Sequence, residues 1–225
     1  MENYDAVLGR IPLFAGISAD SLRTMLACLN AQVKTYRKGG PVFREGEPAR
    51  SVGVVLSGSV QVVKDDYFGN RNVVAVLGPA QLFAEAFSCA GVAALPVSVY
   101  AQADAEVMLL DCQRILTTCG NSCPFHSVLI HNLLRIVATK NLLLNRKIEF
   151  MSKKTTKEKL MAFLLAQAKE QQSDCFTIPF DRQSLADYLG VERSAMSAEL
   201  GKLRDMGYIE VDRRNFRLLK KPGGA

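Results

Sequence analysis

The sequence predicts an α+β chain built in three successive parts, and three observations predict it. Short β-rich runs separated by glycines and acidic turns fill the stretch from Ala31 to Leu110. A long apolar helical pattern starts at Pro124. Two short helical segments that meet at Gly190, followed by a basic hairpin pattern, come near the end. At 225 residues and 48% hydrophobic content the chain can bury one or two cores.

The β-rich runs are Gln32–Tyr36, Gly53–Leu56, Ser59–Val63, Val73–Val76, Val97–Tyr100 and Glu106–Leu110. Between them stand Gly39-Gly40-Pro41, Gly46-Glu47-Pro48, Ser57-Gly58, Asp65-Asp66, Gly69-Asn70 and Gly78-Pro79. Turn residues recur at the interval of antiparallel hairpins, which predicts a sandwich or barrel.

Pro124 suits the first turn of a helix, where its missing N–H leaves no bond unmade. The helix continues through Leu129, Ile130, Leu133, Leu134, Ile136, Val137, Leu142, Leu143, Leu144 and Ile148. Apolar residues on more than one side need cover in water. They predict packing against the β-domain on one side and against a second copy on the other. Burial within one chain is the alternative. Met151 to Lys154 reads as a hinge, and Thr155-Thr156-Lys157-Glu158 is a capping box that restarts helix through Leu160, Met161, Leu164 and Leu165.

Asp181 stands where an N-cap belongs, ahead of a helix whose buried stripe is Leu185, Ala186 and Leu189. Gly190 takes the left-handed position after it, and Val191 closes the corner. In the next helix Met196, Leu200 and Leu203 repeat at helical spacing. That leaves Glu192, Arg193, Ser194, Ser197, Ala198 and Lys202 toward the outside. A face of small polar groups and one arginine suits base edges in a major groove. Arg182 and Gln183 are placed to hold phosphates. Tyr208–Val211 and Phe216–Leu219 read as a β-hairpin wing whose tip carries Arg213 and Arg214, again for phosphates. The expected partner is double-stranded DNA.

Net charge is +6. From Met151 onward 14 Lys and Arg face 10 Asp and Glu, giving +4 and leaving +2 for the first 150 residues. The basic excess therefore sits with the proposed DNA-reading part. No apolar run reaches the length of a membrane span and the first ten residues are polar, so a cytoplasmic protein without membrane contact is expected. Six unevenly spaced cysteines predict reduced thiols. With His126 and His131 as the two histidines, no phosphate-cradling loop and no nucleophile elbow, no catalytic set is recognisable, and an enzyme is not expected.

Taken together, a Gly-punctuated β-roll, a long helix and Asp181-Arg182-Gln183-Ser184-Leu185-Ala186-Asp187-Tyr188-Leu189-Gly190 with its winged helix resemble the Crp/Fnr family of bacterial transcription regulators. The resemblance implies an N-terminal antiparallel, jelly-roll-like β-roll that senses an effector over residues 1–122. It further implies a dimerisation helix over 123–150 and a winged helix-turn-helix that binds DNA over 151–225. A homodimer, an unknown small-molecule effector and RNA polymerase are the partners it implies. Arg193 and Ser194 fall at base-reading positions, with Ser197 and Lys202 beside them. Ser194 replaces the family's frequent glutamate, and Ala198 replaces an arginine one turn later.

In cyclic-nucleotide-binding members a Gly-Glu pair and an Arg-Ser pair hold the phosphate. Here Glu85 is kept, but Ala84 stands at the glycine, Leu95 at the arginine and Pro96 at the serine. The cation and hydroxyl that would bind a cyclic phosphate are missing, so an effector other than cyclic AMP is expected. A pocket lined in part by Phe83, Glu85, Phe87, Leu95 and Ser98 is its expected place, and its chemistry is unknown. Cys112, Cys119 and Cys123 offer a thiol- or metal-responsive alternative. Their spacing matches no strong metal signature, so no metal ligand is assigned.

Overall fold

A computed structural model describes residues 4–67, 71–117 and 124–220. The expected turn at Gly69–Asn70, Cys119, Cys123 and the boundary between residues 122 and 123 lie outside them. Backbone contacts divide the chain into two units, Met1–Thr139 and Lys140–Ala225.

The first unit opens with α1 (Asp5–Leu8), a short 3-10 turn at Pro12–Phe14 and α2 (Ala19–Cys28). All three precede Ala31, where the elements expected from the sequence begin. The signals were present: the Ser18 hydroxyl accepts from the Ser21 N–H as the N-cap of α2, and Leu22, Met25 and Leu26 form its buried stripe. Eight strands follow: β1 (Gln32–Tyr36), β2 (Pro41–Phe43), β3 (Ser51–Ser57), β4 (Val60–Asp65), β5 (Arg71–Leu77), β6 (Leu82–Phe83), β7 (Ser98–Ala101) and β8 (Ala105–Asp111). Two short helices accompany them: α3 (Glu85–Cys89) between β6 and β7, and α4 (Cys112–Leu116) directly after β8.

The strands form two four-stranded antiparallel sheets, ordered β1-β8-β3-β6 and β2-β7-β4-β5. The continuous apolar run Val52, Val54, Val55 and Leu56 makes sense in this setting. Side chains on a strand point alternately to its two faces. Val52, Val54 and Leu56 join Leu13, Met25 and Leu26 in one core, whereas Val55 joins Val42, Val60, Val99 and Val107 in another. Strand β3 is therefore buried on both faces.

The long helix α5 (Pro124–Met151) spans 28 residues. Leu129 and Leu133 are buried in the first core, and the Asn132 side chain donates to the carbonyls of Leu13 and Ala15 at 3.0 and 2.8 Å. By length and composition, Phe125–Met151 is also long and apolar enough to cross a membrane, against the expectation that no apolar run reaches that length. The physical reason is that scattered charges interrupt the run without lowering its average much.

The second unit contains α6 (Thr156–Glu170), β9 (Cys175–Thr177), α7 (Arg182–Leu189), α8 (Arg193–Asp205), β10 (Ile209–Asp212) and β11 (Asn215–Leu218). The capping box forms as read: Glu158 N–H donates to the Thr155 hydroxyl, and Thr155 N–H donates to the Glu158 carboxylate, each at 3.1 Å. The wing is a three-stranded sheet ordered β10-β11-β9, not a lone hairpin. Its third strand is three residues long, too short to display an alternating pattern. Phe176 opposes Phe216 across the ladder, with the rings stacked 6.0 Å apart.

Candidate nucleic-acid interface and effector region

The helix pair α7 and α8 is set by two local devices. Asp181 caps α7 by accepting from the Ser184 N–H at 2.8 Å. That bond, with the nearby positive charge of Arg214, holds its carboxyl below the usual carboxylate range. Gly190 ends α7 at φ 61°, ψ 52°, the left-handed region that costs other residues about 1–2 kcal/mol. The Lys159 ammonium donates to the last carbonyls of this helix, Leu189 and Gly190, at 3.4 Å.

Met196, Leu200 and Leu203 of α8 are buried with Leu185, Ala186 and Leu189 of α7 and Leu160 and Leu164 of α6. Their burial turns the other arc of α8 outward. Glu192, Arg193, Ser194, Ser197 and Ala198 are all exposed on it or at its start. Lys202 is exposed too, but nine residues at 1.5 Å per residue put it about 13 Å along the axis from Arg193. Its ammonium donates to Glu199 at 2.6 Å, and the residue lines an open groove with Thr155, Thr156, Lys157, Ala195 and Ala198. Lys202 thus belongs to a different part of the surface from Arg193, Ser194 and Ser197.

Two residues assigned to phosphates have internal engagements. The Gln183 amide donates to Asp187 at 2.9 Å. Arg182 is half-buried with its guanidinium 5.6 Å from the Phe216 ring centre, and burial lowers its pKa. Its Nη1 is buried without a hydrogen-bond partner among the described residues. At the wing tip, Asp212 and Asn215 pair across a two-residue loop in which Arg213 and Arg214 are exposed. Arg213 holds φ 53°, a conformation that favours glycine.

Sequence reasoning missed the aromatic cluster behind this surface. Phe163 of α6 lies 5.8 Å from Phe150 at the end of α5, 5.8 Å from Tyr188 of α7 and 6.0 Å from Phe180. Tyr188 stacks on Phe180 at 4.9 Å, and the Lys147 ammonium sits 5.4 Å from the Tyr188 ring. One aromatic from each of four segments, at separations of 13, 17 and 8 residues, gives no periodic signal. The cluster ties the last turn of α5 to the helix that precedes α8.

On α5 itself, Leu134, Leu144 and Ile148 are 66%, 59% and 63% exposed. With Ile130, Val137, Asn141 and Met151 they recur at alternating spacings of four and three, the spacing of apolar positions in a coiled-coil seam. Asn141 lies mid-seam and accepts from the Asn145 amide at 2.9 Å.

In the first unit, Phe83 is 2% exposed and fills the space between the two sheets. Its ring meets Phe43 edge-on at 5.6 Å, and a Cβ on Gly53 would fall 2.1 Å from the Phe83 ring, so only glycine admits it there. Ala84 takes φ 62° just before α3, and Glu85, the first residue of α3, is 3% exposed. Leu95 is buried, and its main chain bonds Gly46 and Glu47 at 2.9 and 2.8 Å. The Ser98 hydroxyl accepts from the Glu45 N–H at 2.9 Å, while Phe87 is half-buried. Leu95 and Ser98 therefore meet along the Glu45–Glu47 segment, and Phe83 is taken up by packing. Cys112 is buried 3.7 Å from the sulfur of Cys89.

Comparison with known proteins gives two matching families: the cyclic nucleotide-binding domain over residues 33–122 and the Crp-like helix-turn-helix domain over residues 158–223. The cyclic AMP receptor protein of Thermus thermophilus is 24% identical over 200 residues, 89% of this chain and 88% of that protein. The transcriptional activator protein FnrA of Stutzerimonas stutzeri is 23% identical over 204 residues, 84% of this chain and 78% of that one. Among solved structures, the c-di-GMP responsive global regulator CLP of Xanthomonas campestris matches with a TM-score of 0.57 and 19% identity, over 91% of this chain and 100% of that chain. These relatives are transcription regulators, not enzymes.

Proposed function

The chain belongs to the Crp/Fnr family of transcription regulators, and from that premise we propose that it is a cytoplasmic homodimer that reads a near-palindromic DNA site under the control of an effector other than cyclic AMP. The observation that carries the DNA reading is the exposed arc of α8 bearing Arg193, Ser194 and Ser197, followed in the chain by a wing whose exposed tip bears Arg213 and Arg214. Arg193, Ser194 and Ser197 contact base edges; Arg213 and Arg214 hold phosphates. Arg182, Gln183 and Glu192 border that contact, and Lys202, farther along α8, holds a phosphate. Two copies present their α8 helices to major-groove faces about 34–36 Å apart. Contact with RNA polymerase is part of the same reading.

Residues 1–122 form the sensing part, 123–150 the dimer helix and 151–225 the DNA-binding part. The exposed heptad on α5 supports the dimer, and Asn141 supports a two-stranded register, since a single polar residue in such a seam favours one pairing over others. For the effector, the support is chemical. Leu95 and Pro96 offer a phosphate neither a cation nor a hydroxyl, and Phe83 occupies the roll interior. A ligand that enters near Phe83, Glu85, Phe87, Leu95 and Ser98 must displace or stack on aromatic groups.

The test is selection of genomic DNA fragments by purified, reduced protein at near-physiological salt, beside Arg193→Ala. A two-fold symmetric motif that Arg193→Ala loses while remaining dimeric is the expected result. Retention without a motif, equal for both proteins, would overturn the assignment of α8. A thermal-shift titration tests the effector. Saturating cyclic AMP leaves the melting point unchanged if the reading holds, since a ligand at 100 times its Kd adds about 2.7 kcal/mol of stability.

A further inference from the structure

Cysteine chemistry depends on whether a thiol has an ionised form, an open approach and a second sulfur within reach. Cys89, the last residue of α3, is partly exposed, and Cys112, the first residue of α4, is 1% exposed. Their sulfurs are 3.7 Å apart, in hydrogen-bond contact. From this geometry we propose that Cys89 and Cys112 form a dithiol site for hydrogen peroxide, with Cys89 as the attacking thiol and Cys112 as the resolving one.

The asymmetry of the pair assigns the roles. A thiol hydrogen bond from Cys112 stabilises the Cys89 thiolate and lowers its pKa, against opposing contributions from burial and from Glu85. Cys112 is pushed up by the same contact, by burial and by the negative charges of Cys89 and Asp111. The sulfur that ionises first is therefore the one solvent can reach. Reaction proceeds in two balanced steps. The Cys89 thiolate attacks one peroxide oxygen, the O–O bond breaks, and the departing hydroxide takes a proton to leave as water; Cys89 becomes a sulfenic acid. The Cys112 sulfur then attacks the Cys89 sulfur, the S–O bond breaks, and the Cys112 proton leaves with the hydroxyl as a second water. Two thiols give up two electrons and two protons, and one peroxide becomes two waters.

Closing the bond requires the sulfurs to approach from 3.7 Å to about 2.05 Å. The segment after Cys89 permits it: Ala90 to Ala94 are exposed, with Gly91 at φ 64°. The other described cysteines lack this arrangement. Cys175 is exposed on β9 and Cys28 is partly exposed, and neither makes a sulfur–sulfur contact among the described residues. The resulting disulfide would tie α3, which begins at Glu85, to α4. This chemistry is independent of the DNA reading.

The test treats the reduced, full-length protein with hydrogen peroxide, blocks remaining thiols after denaturation and maps every cysteine by mass spectrometry. The expected result is a linked peptide pair containing Cys89 and Cys112, lighter by about 2 Da than the two reduced peptides. In Cys112→Ser, Cys89 should accumulate sulfenic acid that a cyclic dione traps. In Cys89→Ser, Cys112 should stay reduced. Both cysteines remaining reduced at a dose that oxidises Cys175 would overturn the proposal. So would oxidation of Cys112 in Cys89→Ser with no trapped Cys89 in Cys112→Ser. The wild-type map decides the first point even if a variant folds poorly.

Discussion

Replacing Ile148 by alanine should break the dimer while leaving each chain folded. Ile148 is 63% exposed on α5, at a seam position between Leu144 and Met151. Full burial of an isoleucine contributes about 1.5–3 kcal/mol, so covering the exposed part contributes about 1–2 kcal/mol per copy and about 2–4 kcal/mol for the pair. At about 1.4 kcal/mol per decade, the dimer dissociation constant should rise roughly 30-fold to several hundred-fold. Alanine is the better helix former, so a weaker helix cannot account for the loss. Sedimentation equilibrium of wild type, Ile148→Ala and Arg135→Ala, which lies off the seam, measures it. A change under about threefold in Ile148→Ala, or an equal change in Arg135→Ala, would refute the assignment of this stripe to a second copy.

Three further outcomes follow from the same geometry. Asn141→Leu should tighten association and admit species larger than a dimer by light scattering, because the polar residue restricting the register is gone; unchanged mass and affinity would take Asn141 out of the interface. Gly190→Ala should lower stability by about 1–2 kcal/mol, because φ 61° is strained for alanine and its methyl would sit 3.1 Å from the Met151 Cε, and denaturant unfolding should report it without a change in slope. Arg213→Gly should raise the melting point by relieving φ 53° while reducing the salt dependence of DNA binding by about 0.9 in log–log slope, the share of one phosphate contact. A lower melting point or an unchanged slope would contradict one half of that trade.

The helix-turn-helix was the most legible part of the chain, because its signals are local. Asp181 as N-cap, Gly190 in the left-handed turn, the stripe Met196–Leu200–Leu203 and the capping box at Thr155 each rest on residues within one or two turns, and each forms as read. Strands β1, β3, β4, β5, β7 and β8 were legible for the same reason. Strands β2, β6 and β9 were not, since two or three residues are too few to display a period and such strands exist only because a longer neighbour pairs with them.

By itself, then, the sequence determined the α+β class, the order of the parts and the outward arc of α8, because backbone conformation and periodicity are set by near neighbours. Only the tertiary structure decided which side chains share a space. It packed Phe83 against Gly53 in the roll, gathered Phe150, Phe163, Phe180 and Tyr188 behind α7, drew Arg182 over Phe216, and set Cys89 beside Cys112. Those contacts join residues 13 to 34 positions apart, and they exist because the chain must close its apolar faces against one another, a requirement that no local pattern records.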